Sequence, residues 1–108
     1  MTAFDLYGFQ NSKLEVTKLL LESALNVAFS THESAYRGGK YFRQGNLIEE
    51  HFELLRNIDL FDGRPSEPDF KDYPVLLYVN RTSRSDFLQN LFKEKIPSSV
   101  LLRHELII

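Results

Sequence analysis

Residues 74–79, Pro74-Val75-Leu76-Leu77-Tyr78-Val79, are a short, nearly unbroken apolar run headed by a proline. The run is too short for a typical buried helix and does not alternate, which is the pattern of a strand covered on both faces. A chain that contains such a strand has to build a sheet around it and pack other elements on that sheet. The 108 residues available are the size of one domain. With 43% hydrophobic residues, including nine Phe and five Tyr, they can fill a single core without metal or disulfide staples.

The rest of the chain supplies the partners of that strand. Ser12-Lys13-Leu14-Glu15 has the form of a capping box, and a helix is predicted from Lys13 to Asn26. Leu14, Leu21 and Leu25 fall on one side of it and Val16, Leu20 and Ala24 on an adjoining one, a wide apolar face suited to a sheet. Val27 to Ser34 alternates as a strand. Gly38-Gly39 permits a turn with positive φ, Lys40-Tyr41-Phe42-Arg43 returns as a strand, and Gly45-Asn46 makes a second turn.

Residues 47–58 fit two periods. Ile48, Phe52, Leu54 and Ile58 share a strand face, whereas Ile48, His51, Phe52, Leu55 and Ile58 suit a helix; a strand is the simpler continuation of the meander. Gly63, Pro65 and Pro68 make 61–73 a loop. Beyond the apolar run, Thr82 or Ser83 is placed to cap a second helix reaching about Lys93, with Phe87, Leu88, Leu91 and Phe92 as its stripe. Pro97 closes that region, and Val100 to Ile108 alternates as a last strand. The expected fold is one α+β domain over residues 1–108, in the order α-β-β-β-β-α-β. Its mostly antiparallel sheet of about five strands carries both helices. The final strand–helix–strand unit is expected to add a parallel pair with a right-handed crossover.

The chain has no cysteine, which removes disulfides, thiolate metal sites and cysteine nucleophiles together and fits a reducing cytoplasm. Met1-Thr2-Ala3-Phe4-Asp5 lacks the basic and apolar regions of a signal peptide, and no apolar run approaches membrane-spanning length. A net charge of −2 gives no bulk attraction to nucleic acid.

Four groups of residues bear on function. His32, His51 and His104 each adjoin a glutamate, but no HExxH spacing or triad assembles around them, so they read as strand histidines, with His104 at the edge of the core. Tyr36-Arg37-Gly38-Gly39-Lys40-Tyr41-Phe42-Arg43 interleaves cations with aromatics, as nucleic-acid binders do, and is also an ordinary hairpin. Arg81, Ser83 and Arg84 lie where a strand ends and a helix begins, a place that favours anions; arginines there oppose the helix dipole, so a bound anion or an acidic partner would compensate them. Finally, Glu49, Glu50, Glu53, Asp59, Asp62, Glu67, Asp69 and Asp72 set eight acids against three cations, Arg56, Arg64 and Lys71, a local balance of −5 that would steer a basic partner.

Taken together, His32-Glu33-Ser34-Ala35-Tyr36-Arg37-Gly38-Gly39-Lys40-Tyr41-Phe42-Arg43, the leucine-rich helix before it and Tyr73-Pro74-Val75-Leu76-Leu77-Tyr78-Val79-Asn80-Arg81-Thr82-Ser83-Arg84 resemble segments of small bacterial immunity proteins. Those proteins accompany polymorphic toxins, including toxins of contact-dependent growth inhibition. The resemblance implies a cytoplasmic, non-enzymatic inhibitor that binds the C-terminal domain of its cognate toxin, often a nuclease, with no cofactor, metal or membrane. No contact residue carries over from it, so the eight acids stand as the expected partner surface on charge alone, because nuclease clefts are basic. The alternative is a small nucleic-acid-binding domain using the Tyr36–Arg43 hairpin with Arg81 and Arg84.

Overall fold

The computed structural model describes residues 1–107. In chain order its elements are β1 (Thr2–Phe9), α1 (Leu14–Leu25), β2 (Ser30–Ser34), β3 (Gly39–Gly45), β4 (His51–Arg56), β5 (Val75–Thr82), α2 (Ser85–Lys95) and β6 (Val100–Ile107). Short 3-10 turns occupy Ala35–Arg37 and Pro68–Phe70. The strands form a six-stranded sheet in the order β2-β3-β4-β5-β1-β6, antiparallel at every pairing. The fold is therefore α+β. No described helix is long and apolar enough to cross a membrane.

The apolar run is a central strand as expected, with β5 between β4 and β1. Val75, Leu77 and Val79 face the helices, while Leu76 is equally buried on the opposite side. Leu14 and Leu21 of α1 share one core with Leu88 and Phe92 of α2, so both helices lie on the same face of the sheet. Phe9, Phe42, Phe52 and Leu54 complete that core from the strands, and Tyr7 meets Phe92 edge to face at 5.0 Å. Among the described residues the opposite face carries no α-helix. The loop between Arg56 and Val75 folds over part of it, burying Leu6, Leu55 and Leu76.

Four expectations are corrected. The sheet has six strands instead of five, because Thr2–Phe9 is a strand that the sequence reading leaves unassigned; the order is β-α-β-β-β-β-α-β. The expected parallel pair is absent among the described residues: β5 and β6 run the same way, but β1 lies between them, antiparallel to both. The capping box does not close. Lys13 is the N-cap of α1 and has no side-chain cap, Ser12 Oγ lies against Thr17 Oγ1 at 2.7 Å, and Glu15 reaches Lys40 Nζ at 2.7 Å. Nor does Thr82 or Ser83 occupy the N-cap of α2. Arg84 does, while Thr82 stays in β5 and accepts the Arg84 amide at 3.1 Å.

Other boundaries fall near expectation. Residues 51–56 are a strand, entered by a turn in which the Glu49 amide donates to the Asn46 carbonyl at 2.9 Å. The wide apolar face of α1 is only partly used: Leu14, Thr17 and Leu21 are buried, whereas Val16, Leu19 and Leu20 are exposed. Phe87 of α2 is likewise exposed beside buried Leu88 and Phe92. The last strand runs to Ile107; its expected end, Ile108, lies outside the described residues.

Gly45 fixes the turn from β3 into β4. Its φ of +96° is a conformation that L side chains rarely adopt, and a Cβ there would lie 2.6 Å from the Glu50 carbonyl oxygen. Backbone strain and overpacking each cost about 1–3 kcal/mol at such a site. Gly45→Ala is expected to lower the unfolding free energy by about 3 kcal/mol. A urea titration whose midpoint stays at the wild-type value would contradict this.

Candidate functional site

Strand alternation sets the composition of the uncovered face. Pairing places Tyr41 and Arg43 of β3, His51, Glu53 and Leu55 of β4, Leu76, Tyr78 and Asn80 of β5, and Phe4, Leu6 and Gly8 of β1 on the side away from the helices. Arg103 and Glu105 of β6 continue the row opposite Leu6 and Phe4. Near Leu76 this face is apolar and covered by the 57–74 loop. Toward Asn80 it is polar and open.

Two side chains fasten the loop. Asn57 is buried; its amide nitrogen donates to the carbonyls of Glu67 (3.4 Å) and Phe70 (3.0 Å), and its oxygen accepts the Glu67 amide at 2.8 Å. The Glu67 side chain then reaches over the sheet, accepting from the Tyr78 hydroxyl and from Arg103 Nη1 and Nη2 at 3.1 and 3.2 Å. Arg103 holds the Glu67 carboxyl below the usual range, while burial, together with Glu67, pushes the Tyr78 phenol up.

Beside this fastening runs a groove. One cavity of about 400 Å³ is lined by Tyr36, Arg37, Glu53, Leu55, Ser66, Tyr78 and Asn80. A second of about 240 Å³ shares Tyr78 and Asn80 and continues past Phe4 to Arg103 and Glu105. Glu53 is buried on the floor with Arg37 Nε at 3.1 Å and Arg43 Nε at 3.9 Å from its Oε2. That oxygen and Arg43 Nε are ion-paired but have no partner in hydrogen-bonding geometry.

The rim of the groove carries the most exposed aromatic pair. Tyr36, in the 3-10 turn, and Phe61, at the tip of the loop, are 66% and 69% exposed with ring centroids 4.6 Å apart. The tip is held by Asp59, whose carboxylate accepts the Phe61 amide at 2.8 Å, by Asp62, which accepts the Arg64 amide at 2.9 Å, and by the Leu60 amide on the Ala35 carbonyl at 3.0 Å.

The structure divides the eight acids expected at the partner surface. Glu50, Glu53 and Glu67 are each committed to arginines of this chain, at Arg84, at Arg37 with Arg43, and at Arg103. Glu49, Asp59, Asp62, Asp69 and Asp72 have no ion-pair partner among the described residues, and four of these flank Phe61 in sequence on the 57–74 loop. The expected anion site is also reorganised. Arg84 lies against Glu50, with bonds of 2.9, 3.1 and 2.7 Å, and Thr82 Oγ1 donates to the same carboxylate at 2.7 Å. The negative charge that compensates Arg84 is thus internal, and Arg84 holds the Glu50 carboxyl below its ordinary value. Arg81 and Ser83 are exposed, Arg81 with a φ of 54° where the β5 register shifts against β1.

All three histidines lie on strands. His32 stacks on Tyr41, His51 Nδ1 lies 2.9 Å from the Glu49 carbonyl, and His104 Nδ1 lies 2.5 Å from Asp5 Oδ1. The sequence reading missed Asp5, which is buried and also accepts from Ser85 Oγ. Serine, histidine and aspartate therefore meet, but not as a proton relay. A relay places serine and carboxylate on opposite ring nitrogens, whereas here both lie against Nδ1 and Asp5 stands between its partners. The cluster ties β6 and α2 to β1.

Because Glu50 and Glu67 titrate lower in the folded chain, acidification should weaken the fold in a defined window. An unfolded glutamate titrates near about 4.3. Stabilisation by these pairs is complete above that value and is lost as pH falls through the depressed folded values, since the unfolded chain binds protons first. Glu67→Gln is expected to be less stable than wild type at neutral pH and to lose less on going to about pH 3. Parallel pH profiles of the urea midpoint for the two proteins would contradict this.

The chain matches no protein-family model, and no significant match to a curated protein is found.

Proposed function

We propose that this chain is an immunity-type inhibitor, acting in the bacterial cytoplasm by binding and blocking a toxin domain stoichiometrically. The observation that carries the reading is the exposed Tyr36–Phe61 pair with the unpaired acids Asp59 and Asp62 beside it. Large aromatics held rigidly at a surface are the usual anchors of protein interfaces. Carboxylates without an internal cation around such an anchor steer a basic surface toward it and set its orientation. A nuclease cleft, built to hold a polyanion, is such a surface.

Of the cations on which the nucleic-acid alternative relies, Arg37, Lys40, Arg43 and Arg84 are each engaged by a carboxylate of the chain itself, while Arg81 is exposed with no ion-pair partner among the described residues. A phosphate backbone would have to compete with those pairs. The protein-binding reading breaks no ion pair, because Tyr36, Phe61 and Asp62 are already exposed, Asp59 is half-buried, and neither acid is held by a cation among the described residues.

The test uses the C-terminal domain of the protein encoded immediately upstream of the gene, the expected toxin. Phe61→Ala is expected to weaken binding by about 2 kcal/mol, roughly 30-fold, with the thermal midpoint unchanged. Asp69→Lys combined with Asp72→Lys, both at exposed positions, is expected to slow association about tenfold at low salt with less effect at high salt. Wild-type affinity in the Phe61→Ala protein by calorimetry would remove the proposed interface. Salt-sensitive binding of RNA or DNA by the isolated chain, with no binding of the toxin domain, would favour the alternative.

A further inference from the structure

The groove on the uncovered sheet face has a charge order that selects a ligand. We propose that it takes an extended peptide segment of the partner, with a carboxylate toward Arg37 and a basic side chain toward Glu105; this rests on the reading of the chain as a protein-binding domain.

The polarity comes from unequal sharing of charge. At the β3–β4 end two guanidinium groups, Arg37 and Arg43, share the single carboxylate of Glu53. At the β6 end two carboxylates, Glu67 and Glu105, share the single guanidinium of Arg103. Among the side chains lining the groove and their ion-pair partners, one end therefore holds an excess positive charge and the other an excess negative charge. The groups that carry the excess are accessible, the Arg37 and Glu105 side chains being 43% and 58% exposed. A ligand of one sign is attracted by one end and repelled by the other, whereas a ligand with opposite charges at its two ends satisfies both.

The middle of the groove suits a peptide backbone. Tyr78 and Asn80 line both cavities. Asn80 Nδ2 lies 3.2 Å from His51 Nε2, and among the described residues Asn80 Oδ1 accepts no hydrogen bond. That oxygen is free for a backbone N–H crossing the sheet. From β3 to β6 the groove crosses the strands in the order β3-β4-β5-β1-β6. At about 4.8 Å per interval this spans about 19 Å, and an extended chain rising about 3.3 Å per residue covers it with its two charges about six residues apart.

The test is titration of the isotope-labelled full chain with acetyl-Asp-Ser-Gly-Ser-Gly-Ser-Lys-amide, followed by amide chemical shifts. Saturable shifts at Arg37, Glu53, Tyr78, Asn80 and Arg103 are expected, with a dissociation constant on the order of 1 mM. Arg37→Glu is expected to weaken binding at least tenfold. Glu105→Lys alters an exposed side chain and is expected to do the same with the fold intact, which guards against a structural effect of the first change on Glu53. No saturable shift in the groove overturns the proposal, as does equal affinity for a peptide with lysine at both ends. If the toxin domain is captured through Phe61 while the groove ignores the peptide, the groove proposal falls alone. If the peptide binds and no toxin domain does, the inhibitor reading falls alone.

Discussion

The position of β1 governs everything else in this fold. It pairs with β5 on one side and β6 on the other, so one strand joins the meander of β2 to β5 to the last segment of the chain. Asp5 on this strand holds Ser85 at the start of α2 and His104 in β6, linking the first residues to two elements 80 and 99 positions away. A carboxylate as buried as Asp5 is tolerated only with such partners, because desolvating it unpaired would cost several kcal/mol. The same strand places Phe4 and Leu6 beside Tyr78, so the groove exists because β1 extends the face of β5 toward β6.

The sequence reveals β5, the meander, both helices and the loop, and it hides β1 for a physical reason. Turn residues and periodicity mark elements whose one face meets water. A strand inserted between two others and covered on both sides shows no alternation and is legible only as an unbroken apolar run such as Val75–Val79; in Thr2–Phe9 five consecutive residues from Asp5 onward are buried, but they do not form such a run. Asp5 and Gly8 also argue against a core strand when read locally. Gly8 is there because Tyr73 and Leu102 close over it, within 2.7 Å of where a Cβ would stand, and both are remote in sequence. The capping box failed similarly: Glu15 has a better-placed cation in Lys40, on a strand the local motif does not include.

The candidate site was legible in part. The excess of acids between Glu49 and Asp72 is real, but a count along the chain treats every charge as free. Glu50 finds Arg84 and Glu67 finds Arg103, at separations of 34 and 36 residues, and neither pairing leaves a trace in local composition. What remains unpaired is a narrower set around the loop tip. The aromatic pair at its centre was not legible, since Tyr36 and Phe61 are brought together by tertiary contacts such as the Leu60 amide on the Ala35 carbonyl.

The same pairings that reduce the acidic surface create the polarity of the open face. Had each arginine there met one carboxylate, the groove would be electrically featureless and selective only by shape. Arg37 and Arg43 instead converge on Glu53 while Glu67 and Glu105 converge on Arg103. Glu53 is nearly buried, so its attraction for two guanidinium groups is screened less than that of a surface acid. At the β3–β4 end the imbalance is therefore held around a buried carboxylate, whereas at the β6 end Arg103 is half-buried, Glu105 is exposed and salt weakens their pair more. A surface built this way discriminates by the order of charges along a ligand, a property that net charge and composition do not record.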